Sequence, residues 1–499
     1  MSAPLEYLLS IDQGTTSSRA ILYDRQLTEC ASAQQEFRQH FPREGWVEHD
    51  AEEIFSSVID TVRSAMEQGG ICAGSIAGIG ITNQRETTVI WDRATGRAVA
   101  PAIVWQDRRT SEMVARLRAG GCEESVREKT GLVMDPYFSS TKLAWILDHD
   151  AGLRRAAGAG QLAAGTVESW LIYRLTGGRV HVTDISNASR TQLMDLMAGT
   201  WNDDLLDLFK IPRPLLGRIV PNVGDFGETE ESLFGGSIPI VAAVGDQQSA
   251  LFGQLCTKPG MVKCTYGTGC FLLAFAGPDR PRSRHRLLET VAWQLPGRPV
   301  QYALEGSVFV GGAAIQWLRD GLKIISTAPE VNILAASADG AQRPVFVPSF
   351  TGLGAPYWDP SARGGILGLT RATTRAEIAM ATLEGIAWQV AEVALAMRRD
   401  LRKPLRNLRV DGGASASDLL LQFQADILGV AVERPACIES TALGAAMMAG
   451  LGAGIFRSPE DIARFHGPDK TFEPAMSSHD RKSSLARWRK AVRLIRKWQ

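Results

Sequence analysis

Several stretches of this sequence gather residue types that can do chemistry as well as pack. In "YLLSIDQGTTSSRAILYD", Asp12, Gln13 and Gly14 precede the hydroxyl run Thr15, Thr16, Ser17 and Ser18, between two short apolar runs. Residues 7–11 and 20–23 have strand length and composition, and the segment between them is turn chemistry. A strand–turn–strand reading sets a carboxylate, hydroxyls and backbone N–H groups at one tip. Gly there admits close approach of a ligand, and successive amides form an anion-binding nest. A polyphosphate with its metal suits such a tip, and a solvated Ser/Thr-rich hairpin fits the same residues. In "ITNQRETTVIWD", Arg85 and Glu86 stand where a strand meets a turn. One supplies a fork of donors and the other acceptors, a pair suited to the vicinal hydroxyls of a polyol, or simply a local ion pair. "VAAVGDQQSALFG" sets Asp246 after Gly245, between an apolar strand and a helix, where open α/β sheets place their ligands. The same Asp could instead cap that helix. "LRVDGGASAS" joins an acidic strand end to Gly412–Gly413 and a helix start, which lets a nucleotide lie close to the backbone. Trp105, Tyr137 and Phe138 are aromatics near Gly and Pro, where structural roles are the usual ones.

The elements that must position these residues alternate between short apolar strands and amphipathic helices. "HDAEEIFSSVIDTVRSAMEQGG" repeats Ile54, Val58, Val62 and Met66 at helical spacing, with Asp50 and Glu53 as a capping box and Gly69–Gly70 as its end. "IAGIGIT" follows as a buried strand. The same strand, Gly-containing turn and helix recur in "IPIVAAVGDQQSALFGQL" and "LRNLRVDGGASASDLLLQFQADILG", which is α/β patterning with partly parallel sheets. "MVKCTYGTGCFLLAF" at 261–275 echoes the N-terminal apolar run, Gly–Thr turn and apolar run. Two similar phosphate hairpins, one per half, would suit a clamp on a nucleotide, and the boundary is set near residue 252. Leu485, Trp488, Val492 and Ile495 give the C-terminal segment an apolar stripe for docking on its own domain; a membrane-surface helix is the other reading.

Composition narrows the classes further. A chain of 499 residues is too long for one ordinary core, so two large domains are expected. Hydrophobic content of 45% and charged content of 22% fit a soluble globular protein. Lys+Arg of 54 against Asp+Glu of 54 argues against a nucleic-acid partner held by a bulk basic field. No apolar run reaches the ~18 residues of a membrane span, and the start lacks the basic region of a secretory leader. The cysteines, an odd 7 with no CxxC pair, read as free thiols in a reducing cytoplasm. There is no GxxxxGK[ST] phosphate loop, no GxGxxG after the first strand, and no HExxH or Cys/His cluster for zinc.

Taken in order, "DQGTTSSR", "GWVEHD", "GITNQRETT", "TGLVMDPYFSSTK", "HVTDISNASRT", "GDQQSALFGQL", "YGTGCF", "PSFTGLGAPYWDP" and "RVDGGASASDLLLQFQADILG" resemble the FGGY carbohydrate kinases, and among them the branch that phosphorylates glycerol. The likeness runs from about residue 5 to about residue 455. It implies an α/β fold of two ribonuclease-H-like domains, of actin and hexokinase type, with a ligand cleft between them. Residues 1–252 would carry the glycerol site and the first phosphate hairpin. Residues 253–499 would carry the second phosphate hairpin and the adenosine site. The implied activity is ATP-dependent, Mg2+-assisted phosphorylation of glycerol to sn-glycerol 3-phosphate in glycerol catabolism, by in-line transfer with Asp246 as general base. Arg85, Glu86, Tyr137, Asp246 and Gln247 match the residues that hydrogen-bond glycerol, and Trp105 and Phe271 match its apolar wall. Thr15, Thr16, Ser17, Arg19, Thr268, Gly312, Gln316 and Gly413 match nucleotide-contacting positions, and Asp12 matches the carboxylate near magnesium. Ser417 stands where the family often has Asn beside the adenine. "SLFGGSIPI" lacks the Arg with which some relatives bind fructose 1,6-bisphosphate, leaving Ser237, and "IVPNVGDFGET" lacks the phosphorylated His of others. The likeness further implies a cytoplasmic homo-oligomer, dimer or tetramer, with no nucleic-acid partner and no membrane span. Rival expectations are another FGGY kinase, acting on a tetritol or ketopentose, and a non-catalytic nucleotide sensor of actin type.

Overall fold

The computed structural model describes residues 6–339, 343–436, 439–465 and 467–498. Cys437 and most of the N-terminal segment read for a leader lie outside the described residues, and the six described cysteines are free thiols. The chain divides into two compact units: Met1–Leu255 with Glu289–Tyr302 and Ser440–Phe465, and Cys256–Leu288 with Ala303–Glu439 and His466–Gln499.

In the first unit, strands β1 (Tyr7–Gln13) and β2 (Ser17–Tyr23) form an antiparallel hairpin, and β3 (Glu29–Glu36) pairs antiparallel with β2. Helix α1 (Ala51–Gly69) leads into β4 (Ile76–Asn83), which runs parallel to β1. Strand β5 (Ile240–Gly245) runs parallel to β4 and feeds helix α2 (Asp246–Gly253), so the sheet order is β5-β4-β1-β2-β3. Ile79 and Ile81 join the core beneath α1 with Ile54, Val58 and Val62. The alternate residue of β4, Gly80, faces the other way, and a side chain there would run into the Ala445 carbonyl. The helix Ser440–Gly452, far along the chain, thus covers the second face of this sheet. Parallel strands covered on both faces read as nearly unbroken apolar runs, as β4 does.

Two local expectations are corrected. Asp50 does cap α1, accepting the Glu52 N–H at 2.8 Å, but Glu53 does not complete a capping box. Its carboxylate accepts the Arg38 N–H instead, at 3.3 Å. The N-terminal strands also extend further than their apolar runs, through Asp12–Gln13 and Ser17–Arg19, because ladder pairing continues past the last apolar side chain.

In the second unit, β6 (Met261–Tyr266) and β7 (Cys270–Gly277) form a hairpin with β8 (Gln301–Val308) beside β7. Helices α3 (Gly312–Asp320) and α4 (Arg375–Leu401) precede β9 (Asn407–Asp411), which runs parallel to β6. β10 (Val432–Pro435) runs parallel to β9, and β11 (Pro468–Phe472) closes the edge antiparallel to β10. The order β10-β9-β6-β7-β8 reproduces the order β5-β4-β1-β2-β3, and its first four strands match in direction as well, so the echo at 261–275 marks a repeated architecture. Among the described residues, α4 is the one helix long and apolar enough to cross a membrane, but its apolar window is 89% buried within the protein. The C-terminal helix Ser478–Arg496 docks on the same core through Leu485, Trp488, Val492 and Ile495, with Trp488 stacked on Trp388.

Candidate active site

Gln13, Asn83 and Gly245 lie in register at the C-terminal ends of the parallel strands β1, β4 and β5. Three departing turns therefore converge on one sheet edge, which carries Asp12, Arg85–Glu86 and Asp246. Asp12 is half-buried, opposite Thr82 on β4 and Arg19 on β2.

The hairpin tip is narrow. Gly14 N–H donates to the Ser17 carbonyl at 2.9 Å, and Gln84 Nε2 donates to the Gly14 carbonyl at 3.0 Å. Thr16 is exposed. Trp105 Nε1 donates to the Thr15 hydroxyl at 2.9 Å, which ties the aromatic expected at the polyol to the turn expected at phosphate. Gln34 on β3 accepts from Arg19 Nη2 at 2.8 Å and donates to the Ser17 hydroxyl at 2.9 Å. Ser18 is not part of the tip. Strand alternation turns it inward, where its hydroxyl meets that of Ser57 at 2.8 Å in full burial.

Beside it, the buried Arg85 reaches three elements. Its Nε lies 3.2 Å from Asp246 Oδ1 and 3.8 Å from Glu86 Oε1, while Nη1 donates to Gln248 Oε1 at 3.1 Å and Nη2 to the Tyr137 hydroxyl at 3.5 Å. Asp246 is not the helix cap. Gly245 holds that position, and Asp246 Oδ1 accepts the adjacent Gln247 N–H at 2.6 Å. Glu86 takes φ of 62°, a left-handed conformation costly for a side chain of this kind. Its carboxylate accepts from Arg190 Nε at 2.7 Å, both groups fully buried. Trp105 and Tyr137 meet edge to face at 5.7 Å, and Phe138 is wholly buried.

Sequence reasoning missed Arg190, Gln248 and Lys142. Nothing local pairs Arg190 with Glu86, 104 positions away. Lys142 did leave a trace, as a lone cation within the apolar turns of "SSTKLAWIL". Burial pushes its ammonium down to about 7, with Glu86, Asp107 and Asp135 pulling upward and Arg108 downward. A buried carboxylate network was also missed. Glu168 accepts from Thr183 Oγ1 at 2.6 Å, Thr166 Oγ1 at 2.7 Å and Asn83 Nδ2 at 3.1 Å. Asp184 caps the short helix Ile185–Ala188 and accepts from Asn222 at 2.8 Å. Burial pushes both carboxyls up, the Asp184 charge adding to the rise at Glu168, while the hydroxyl, amide and backbone donors around each pull it back down. From that helix, the Ser186 hydroxyl accepts the Gly245 N–H at 3.0 Å, fixing the residue before Asp246.

In the second unit, the turn between β6 and β7 rests on the start of α3. The Gly267 carbonyl accepts from Gly312 N–H at 2.8 Å, and the Thr268 carbonyl accepts from Gly311 at 2.8 Å and Ala313 at 3.1 Å. Thr268 and Gln316 are exposed, and Phe271 is half-buried on β7. Gly412, at φ of 83°, has the Tyr266 backbone where a Cβ would stand, so β9 turns into the exposed Gly413 at close range to β6. Ser417 is buried; it caps the helix Asp418–Leu428 and donates to Asn332 Oδ1. Among the described residues, no three His, Cys, Asp or Glu side chains gather as a metal-binding group.

Two units of this strand order, each opening a glycine-bearing hairpin, define the actin and hexokinase type of kinase fold. The N-terminal domain model of the FGGY family of carbohydrate kinases matches residues 7–253, and the C-terminal domain model matches residues 262–453. The chain belongs to the FGGY family of carbohydrate kinases. It is 55% identical to a glycerol kinase of Ralstonia nicotianae over 492 residues, covering 99% of each. It is 53% identical to a glycerol kinase of Deinococcus radiodurans over 494 residues, covering 99% of this chain and 98% of that one. The crystal structure of Plasmodium falciparum glycerol kinase with ADP superimposes with a TM-score of 0.94 at 34% identity, covering 99% and 98% of the two chains.

Proposed function

We propose that this chain transfers the γ-phosphoryl group of ATP to a terminal hydroxyl of glycerol, giving sn-glycerol 3-phosphate. The observation that carries the reading is identity above half, over essentially whole chains, to glycerol kinases. The charged cluster of Arg85, Glu86 and Asp246 supports it, since it offers donors and acceptors suited to adjacent hydroxyls. In this reading Arg85 and Glu86 hold the polyol with Tyr137 and Gln247, and Trp105 and Phe271 supply its apolar wall. Asp246 accepts the hydroxyl proton as the new O–P bond forms and the bond to the ADP oxygen breaks. Thr15, Thr16, Ser17 and Arg19 from one hairpin, and Thr268 from the other, orient the phosphates; Gly312, Gln316, Gly413 and Ser417 border the nucleoside. A single carboxylate at Asp12 fits Mg2+, which keeps most of its water and takes its other ligands from substrate phosphates. When bound, the ion neutralises charge on the transferred phosphoryl group. Residues 1–252 would then serve as the glycerol half and 253–499 as the adenosine half. The enzyme is read as a cytoplasmic homo-oligomer.

The test is a coupled ADP-release assay over a polyol panel. Glycerol should be turned over, with propanediols poorer by up to ~10⁴-fold, because a missing hydroxyl strands buried partners. Efficient phosphorylation of xylulose or ribulose in place of glycerol would overturn the substrate, and ADP release indifferent to any polyol would overturn the transferase reading.

A further inference from the structure

Lys142 lies in the first turns of the helix Ser139–His149 and is fully buried. Its Nζ donates to the Tyr137 carbonyl, to the Phe138 carbonyl at 3.2 Å and to the Glu86 carbonyl at 3.4 Å. The Glu86 carbonyl also accepts from the Ser139 hydroxyl at 3.1 Å, on the same helix start, and from the Thr88 hydroxyl at 3.1 Å within its own turn. An ammonium has three hydrogens and no acceptor, and three carbonyls converge on it. Two of those carbonyls belong to the residues whose side chains meet Arg85. The third belongs to the aromatic that packs against Tyr137 at 5.0 Å.

We propose that Lys142 is a positioning residue for the polyol site, clamping the turn of Glu86 to the loop of Tyr137 through their backbone carbonyls. The need for such a clamp is visible in Glu86 itself. Its left-handed backbone persists only where the surroundings over-determine it. Arg190 fixes the Glu86 carboxylate from one side, and Lys142 with Ser139 fixes its carbonyl from the other. Without the ammonium, three buried carbonyls lose a donor together, the turn relaxes, and Glu86 and Tyr137 part from their geometry around Arg85. The effect falls on the polyol and not on the nucleotide, because the hydrogen bonds of Lys142 go to the Glu86, Tyr137 and Phe138 carbonyls and not to the phosphate hairpin Gly14–Ser17. This inference rests on the glycerol reading above.

Lys142→Met keeps the length and removes the charge, whereas Lys142→Arg restores a cation with several donors. For Lys142→Met we expect the glycerol KM to rise at least tenfold, the ATP KM to stay within twofold, and kcat to fall less than kcat/KM. Lys142→Arg should recover most of the glycerol KM. A side chain needed only to fill space would give the reverse order, since Met is the better apolar filler and Arg the larger intruder. A Lys142→Met enzyme with wild-type glycerol KM overturns the proposal. If Lys142→Met does not fold, Lys142→Arg decides alone, a glycerol KM within threefold of wild type supporting the clamp and one raised tenfold overturning it. A wild-type enzyme that turns over ATP without using glycerol would instead overturn the underlying reading, and this inference with it.

Discussion

Replacing Asp246 by Asn separates proton acceptance from shape. In the wild type, Asp246 Oδ1 lies 3.2 Å from Arg85 Nε, and the side chain is 30% exposed. Asn keeps the volume and one acceptor oxygen toward Arg85 but cannot take a proton. Arg85 retains Gln248 at 3.1 Å and Tyr137 at 3.5 Å, so it stays in place. Solvent screening holds the lost ion pair to about 1 kcal/mol, or roughly fivefold in glycerol KM. The loss of a general base costs ~10²–10⁴ in kcat, about 2.7–5.4 kcal/mol on the barrier. The measurement is steady-state ADP release by a coupled assay, titrating glycerol at saturating MgATP. A variant that keeps more than a tenth of wild-type kcat would refute the proton-acceptor role. A kcat near normal with KM raised a hundredfold would make Asp246 an anchor for Arg85 instead.

Asp12→Ala should depress Mg2+-dependent turnover more than glycerol affinity, as checked by metal titration; lost glycerol affinity with normal MgATP turnover would count against it. Millimolar fructose 1,6-bisphosphate should leave activity unchanged at saturating and sub-saturating glycerol. The Ser237 hydroxyl donates to the Glu228 carboxylate at 2.7 Å, and the nearby Arg63 and Arg179 are engaged on the Leu233 carbonyl and Glu230. Saturable inhibition that is abolished by mutating 234–238 would contradict this. Burial pushes the Glu384 carboxyl up to about 7 against the pull of Arg343 and Arg487, so folding favours its protonated form. Its contribution is complete below about pH 4.5 and is lost as pH rises through 7, about 3 kcal/mol in all. Glu384→Gln should therefore flatten that decline in denaturant titrations at pH 4.5 and 7.5, and an unchanged decline would exclude Glu384 as its source.

Much of the frame was legible because its signals are local. Turn residues between apolar runs marked the β1–β2 hairpin, and helical spacing with an Asp and two glycines marked α1 and its ends. The two hairpins betrayed their kinship through a shared Gly–Thr turn, although too few residues matched to call a repeat. The position of Asp246 after an apolar strand was enough to predict the sheet edge where it lies, because parallel strands all end on the same side.

What the sequence by itself determined, then, is what neighbours along the chain decide: strands, turns, caps, and which residues stand at the ends of strands. Which distant groups meet was decided only by packing. Arg190 finds Glu86, and Lys142 finds three carbonyls, because folding removes them from water and leaves no other partner as good. The division into units shows the same thing at larger scale. Ser440–Gly452 lies in the chain between β10 and β11 of the second sheet, yet it covers the first. Gly80 leaves room for it against β4, and Gly253 and Gly444 let its backbone touch that of α2, where a Cβ at either would strike a carbonyl. A glycine in sequence says only that something comes close; the folded sheet, with an apolar face still open to water, decides what that something is.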